Sequence, residues 1–178
     1  LGIYRVSTEV LSKQIAYVAD QNSIDSAQIW LESQEWDGTS RIERFYIDYF
    51  GSEDTPYTRA VGLYTWSALA GRAMVPGIQA DMIPVLVGMQ GLRKSTGIKA
   101  ISPSPDFFAE FNFGEAEVES TRKMRGKLVG ELAELRGLRS REKEHIKGWV
   151  TRTHEQYKPL YKEFMVTFPR RLVFFGST

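Results

Sequence analysis

Apolar residues recur every three or four positions along the first part of the chain, then gather into short unbroken runs. Val10, Leu11, Ile15 and Val18 fall on one face of a helix over about 8–20, with Ser7 placed to cap it. A second helix follows over about 24–34, with Asp25 or Ser26 near its start. Trp36-Asp37-Gly38 is a turn signal, after which Thr39 or Ser40 caps a helix carrying Ile42, Phe45, Ile47, Tyr49 and Phe50. Thr55-Pro56 sets proline at a first helical position, where its missing N–H costs nothing. That helix runs to about Met74 and stops at Val75-Pro76-Gly77, and its Tyr64, Trp66, Leu69 and Met74 read as core.

From residue 83 the period changes. Ile83-Pro84-Val85-Leu86-Val87 has no alternation, which predicts a strand buried on both faces with Pro84 at its start. Gly88 to Gly91 then leads into a helix through Leu92-Arg93-Lys94-Ser95-Thr96. Phe107 to Phe113 is a second strand candidate, 114–124 a helix, Lys127 to Gly130 a buried strand ending in Glu131, and 139–152 a helix. Tyr157 to Tyr161 reads as a loop or hairpin, and Leu172 to Phe175 as a last buried strand. Strands alternating with helices predict an α/β fold with a largely parallel sheet. We expect a helical N-terminal subdomain over 1–80 and an α/β core over 81–178. Phe174 to Thr178 reads as a strand cut at its end, so the core is expected to be truncated at its C-terminus.

The 178 residues amount to about one domain of ordinary composition, which argues against disorder and fibrous repeats. The sequence has no apolar run long enough to span a membrane, and cysteine is absent, which excludes disulfides and thiolate metal sites. These features fit a cytoplasmic protein. The near-neutral total hides an asymmetry. Residues 121–178 carry 14 basic and 6 acidic residues, a net of +8, whereas residues 1–120 carry 9 and 16, a net of −7. Such a basic half suits a polyanion partner or plus-to-minus self-assembly; a solvated charged helix accounts for it equally well.

The strongest local signal is Gly88-Met89-Gln90-Gly91-Leu92-Arg93-Lys94-Ser95, followed by Thr96. It matches a phosphate-binding loop, with Gly, four residues, then Gly, Lys and Ser or Thr, except that Arg93 stands at the second glycine. A buried strand before and a helix after supply the required context. Backbone N–H groups entering a helix N-terminus cradle phosphate, Lys94 reaches the β- and γ-phosphates of ATP, and the Ser95 hydroxyl ligates Mg²⁺. The competing reading is an ordinary strand–turn–helix with a surface lysine. Glycine at position 93 would permit a positive φ and close approach; Arg93 either weakens binding or touches phosphate itself.

A site of this kind needs acid beside the loop. Leu128-Val129-Gly130-Glu131-Leu132-Ala133-Glu134 offers Glu131 at a strand's C-terminal end, with Glu134 three residues on. Glu131 is expected to share Mg²⁺ with Ser95, and Glu134 to position water, although the two can exchange roles. A solvated pair on an amphipathic helix is the plainer alternative.

Together these residues resemble the P-loop domain of the virulence-associated protein E family. The resemblance begins at Trp36-Asp37-Gly38-Thr39-Ser40-Arg41 and continues through Arg72 and Pro76-Gly77 to the loop. It extends over Arg125-Gly126-Lys127, Glu131 to Leu135, Lys147 to Arg152, Tyr157 to Tyr161 and Phe168-Pro169-Arg170-Arg171. The family is similar to superfamily 3 helicases and the wider AAA+ class. The resemblance implies a P-loop NTPase core and an ATP-driven motor for replication of a phage or mobile element in a bacterial host. It also implies a ring-shaped homo-oligomer such as a hexamer, and often a linked primase. In superfamily 3 helicases a hairpin matching about 152–166 grips single-stranded DNA. Here Lys158 and Lys162 would neutralise phosphates and Tyr157 and Tyr161 would stack on bases; tyrosines packed onto the domain are the alternative. Arg152, Arg170 and Arg171 are candidates for an arginine acting on a neighbour's site.

Two function classes follow from the residues. One is an ATPase of the helicase or translocase type. The other is a nucleotide-deficient module, blocked by Arg93, that serves DNA binding or assembly. A small-molecule kinase on the same loop lacks an acceptor signature.

Overall fold

The computed structural model describes residues 6–22, 24–112, 115–133, 135, 146–158 and 165–178. The chain divides into two compact units, 1–34 and 35–178.

The first unit contains α1 (Thr8–Gln21) and α2 (Ser26–Glu32). Both start where a polar side chain satisfies a free backbone N–H. Ser7 Oγ accepts from Val10 N at 3.3 Å, and Asp25 Oδ1 from Gln28 N at 3.1 Å. Val10, Leu11, Ile15 and Val18 line one face of α1 as the period predicts, and all four are exposed.

The second unit opens with α3 (Phe45–Phe50) and α4 (Pro56–Met74). The helix expected from Thr39 or Ser40 starts only at Phe45. Asp37 instead accepts from Thr39 N at 2.9 Å and pairs with both terminal nitrogens of Arg41, so the segment closes on itself. Helix α4 begins where Thr55-Pro56 predicts, with Thr55 Oγ1 accepting from Thr58 N at 3.1 Å. Phe45 meets Trp66 edge-on at 5.0 Å and Tyr46 shares a buried 2.9 Å hydrogen bond with Thr65, which ties α3 to α4. Met74, expected in the core, is exposed at the helix end.

Four parallel strands form the main sheet: β1 (Val85–Leu86), β2 (Phe108–Phe111), β3 (Val129–Leu132) and β6 (Val173–Ser177). Their order is β1-β6-β3-β2, so β3 and β6 are central and fully buried. The fold is therefore mixed α/β with a parallel sheet. Strand β1 differs from expectation. It is two residues long, and Val85 and Val87 are exposed because β1 lies at the sheet edge, paired among the described residues only with β6. Helix α5 (Lys94–Ile101) follows β1 and buries Ile98 completely, a contribution of about 1.5–3 kcal/mol. A 3₁₀ turn at Pro105–Phe107 leads into β2, and α6 (Glu117–Met124) into β3.

The main core gathers Phe111, Met124, Leu132, Ile146, Val150, Leu172 and Phe174. Residues 146–150 are helical, and the rest of the helix expected over 139–152 that precedes them lies outside the described residues up to 145. The hairpin expected near Tyr157 is an antiparallel pair, β4 (His154–Tyr157) with β5 (Val166–Pro169).

Candidate functional site

The loop between β1 and α5 reverses the chain through two left-handed residues. Gly91 has φ +87°, and Arg93 has φ 55° and ψ 32°. Arg93 is the one described non-glycine residue with positive φ. The backbone at the deviant position thus takes up the conformation for which the motif uses glycine, at a strain cost of about 1–2 kcal/mol. No side chain caps α5, which leaves its first-turn N–H groups available to an anion. Lys94 Nζ donates to Gly88 O and Met89 O, each at 2.9 Å, and so arches back over the loop. An ammonium has three N–H donors, and these bonds use two. At Gly97 a Cβ would lie 2.6 Å from a ring carbon of Phe50, so the glycine lets α5 sit directly against α3.

Glu131 lies on β3, 1% exposed. Its Oε1 accepts from Ser95 Oγ at 2.6 Å and from Ser177 Oγ at 2.8 Å. Among the described residues no lysine or arginine forms an ion pair with it. A buried carboxylate held by neutral hydroxyls alone is poorly compensated and favours an incoming cation. Among the described residues no cluster of three acidic, histidine or cysteine side chains is present. The donor set is one hydroxyl and one carboxylate. That fits Mg²⁺, which keeps several waters and is usually completed by substrate phosphates.

A cavity of about 1330 Å³ adjoins the loop, walled by Phe45, Tyr49, Tyr57 and Tyr64 and reaching Lys94 and Thr96. Aromatic walls beside an uncapped helix N-terminus suit a ligand with a flat apolar body and a charged tail.

The remaining site residues fall in different places. Gln90, Leu92 and Thr96 are exposed along the loop and the first turn of α5. Glu134, Tyr161 and Lys162 lie outside the described residues. Tyr157 is 8% exposed and meets Phe168 edge-on at 6.1 Å, so its ring belongs to the hairpin's packing and is not offered for base stacking. Lys158 is exposed. Arg170 is not a surface residue. It is 0% exposed, donates to Trp149 O and Val150 O at 2.7 and 2.9 Å, and pairs with buried Glu155. It also lies over the Trp149 and Phe174 rings, and burial pulls its pKa down. A side chain held in this way cannot reach a neighbouring subunit. Arg152 is partly exposed and pairs with Glu117, and Arg171 is half-buried.

Ser177 at this site carried little signal in the sequence, and Arg72 was marked only as part of the resemblance. Ser177 ends a buried strand, and only its polarity after an apolar run marked it. Arg72 is 1% exposed, donates to Ile78 O and Leu172 O, and has a pKa pulled down by burial to about 10.

Among the described residues no helix is long and apolar enough to cross a membrane. The family model for the virulence-associated protein E-like domain matches residues 31–178. Among solved structures, the chain is similar to the apo NrS-1 C-terminal region (305–718), with TM-score 0.54 and 14% identity, over 81% of this chain and 35% of that one. It is also similar to an A-form apo structure of the NrS-1 C-terminal region, with TM-score 0.50 and 14% identity, over 76% and 31%. The chain thus spans about a third of the solved chains it resembles. Comparison with curated proteins finds no match.

Proposed function

The chain belongs to the virulence-associated protein E-like domain family, and on that premise we propose that it is a P-loop ATPase domain, AAA+ or superfamily 3 helicase-like, of a phage or mobile-element replication protein. The single observation that carries this reading is the 2.6 Å hydrogen bond from Ser95 to Glu131. It joins the hydroxyl that follows the loop lysine to a buried acid at the end of a central strand, and phosphoryl transfer needs those two groups together.

In this reading the triphosphate lies over residues 88–95. The α5 N–H groups receive its oxygens, and Lys94 leaves the loop carbonyls to meet the β- and γ-phosphates. Arg93, already in the left-handed conformation, leaves that cradle intact. Ser95 and Glu131 hold Mg²⁺, which supplies charge neutralisation to the phosphates. Glu134 is proposed to position the attacking water. The aromatic cavity takes the nucleoside. Single-stranded DNA is the proposed polyanion partner, bound by the basic half with Lys158 and Lys162 in contact, and a ring of like subunits is the proposed assembly. Arg152 and Arg171 remain the candidates for an arginine acting across its interface.

The test is ATP turnover by the full-length protein and by Lys94→Ala, with and without single-stranded DNA. We expect DNA-stimulated turnover that Lys94→Ala abolishes. Equal rates for the two proteins would defeat the proposal, and Mg²⁺-dependent nucleotide binding by the wild type would separate it from a nucleotide-deficient module.

A further inference from the structure

We propose that Ser177 is a positioning residue for Glu131, one that fixes which carboxylate oxygen faces the loop and thereby sets the site's affinity for Mg²⁺. This rests on the nucleotide reading above. An ionised carboxylate oxygen offers about two acceptor positions. On Glu131 Oε1 both are taken, by Ser95 Oγ at 2.6 Å and Ser177 Oγ at 2.8 Å. Oε2 is therefore the oxygen left to turn toward a cation or its waters. With one of the two hydroxyls removed, the carboxylate is held at a single point and can rotate.

Ser177 is well placed for this task because the backbone at and beside it is held from both sides. Leu135 N donates to Ser177 O at 3.2 Å, Thr178 N donates to Leu86 O at 3.1 Å, and Ser177 stands in register with Leu86. Its side chain is buried, 7% exposed. Strand β1 delivers the loop, β3 the acid, and β6, between them, delivers this hydroxyl. Partners of metal-ligating carboxylates commonly matter by about 10–100-fold in metal affinity.

The experiment titrates Mg²⁺ against binding of a fluorescent ATP analogue to the full-length protein, with a parallel titration in EDTA. For Ser177→Ala we expect the Mg²⁺ concentration at half-maximal binding to rise roughly tenfold. Affinity in EDTA stays at the wild-type value, and Ser177→Thr returns the Mg²⁺ midpoint to within about twofold. If Ser177→Ala does not fold, Ser177→Cys, a weak donor of similar size, takes its place with the same expected shift. An unchanged midpoint, or an equal loss in EDTA that threonine does not rescue, overturns the inference alone. A wild type that binds no nucleotide overturns the proposed function and this inference with it.

Discussion

Ser95 Oγ donates to Glu131 Oε1 at 2.6 Å across 36 residues of sequence. The bond links the first turn of α5 to the end of β3, and it leaves a buried carboxylate without a cationic partner among the described residues. On the proposed function, such a site trades stability of the empty fold for a place to bind a cation. Glu131→Gln keeps the shape and removes the charge. We expect thermal unfolding to rise by roughly 2–4 °C, about 1 kcal/mol, while ATP turnover falls roughly a hundredfold. Calorimetry and a phosphate-release assay check both, and a lowered midpoint would contradict this view of the site.

Arg93 stores strain at φ 55°. Arg93→Gly relieves it, offset in part by the greater freedom of the unfolded chain. The expected outcome is a gain of about 0.5–1 kcal/mol in urea unfolding, with nucleotide affinity changed by less than about fivefold. Nucleotide binding that appears only in the glycine variant would instead identify a blocked loop.

Burial pushes the Tyr46 pKa up to about 12 from its ordinary 10. The folded state therefore holds this proton more tightly than the unfolded state. Its contribution is fully present below pH 10 and is lost as pH rises through 12. By pH 11 the loss is about 1.4 kcal/mol. Tyr46→Phe loses its bond to Thr65 at every pH, at about 1 kcal/mol, and should lack that share of the alkaline decline. Urea unfolding at pH 8 and pH 11 measures the difference; parallel declines in both proteins would refute it.

The Arg170–Glu155 pair is buried on both sides, 0% and 2% exposed. Arg170→Met leaves the buried Glu155 carboxylate with only the longer 3.9 Å approach of Arg152, and we expect a loss of about 3 kcal/mol in chemical denaturation. Adding Glu155→Gln should restore at least half of it. Additive losses would show that the two residues are not coupled.

Lys158 and Tyr157 adjoin in sequence but differ in exposure. Lys158→Ala should weaken single-stranded DNA binding and reduce the slope of log affinity against log salt by about 0.7. Tyr157→Phe, packed on Phe168, should leave affinity within about twofold. Salt-titrated anisotropy separates them, and a stacking role for Tyr157 would be shown by a large loss in Tyr157→Leu with unchanged folding.

Much of the architecture was legible along the chain because local rules governed it. Thr55-Pro56 started α4 where capping and a fixed proline φ require. The runs read as buried strands at 127–130 and 172–175 became the two central strands, Val129–Leu132 and Val173–Ser177. The same rule misled at Val85, since an apolar run does not reveal whether a strand has one neighbour or two. It misled again at Thr39, where Asp37 found Arg41 before a helix could start. Exposure of an aromatic or a cation was not legible, so Tyr157 stood open between stacking and packing and Arg170 was one of three arginine candidates; both are buried.

The sequence by itself determined the loop, since glycine, lysine and serine at that spacing after a strand act through backbone geometry that neighbouring residues impose. It also determined the parallel α/β class, because alternating periods leave few other ways to bury the strands. Only the tertiary structure decided that Ser95, Glu131 and Ser177 meet. Strand order, β6 between β1 and β3, is settled by packing among residues far apart in sequence, and no local pattern encodes a contact of that range.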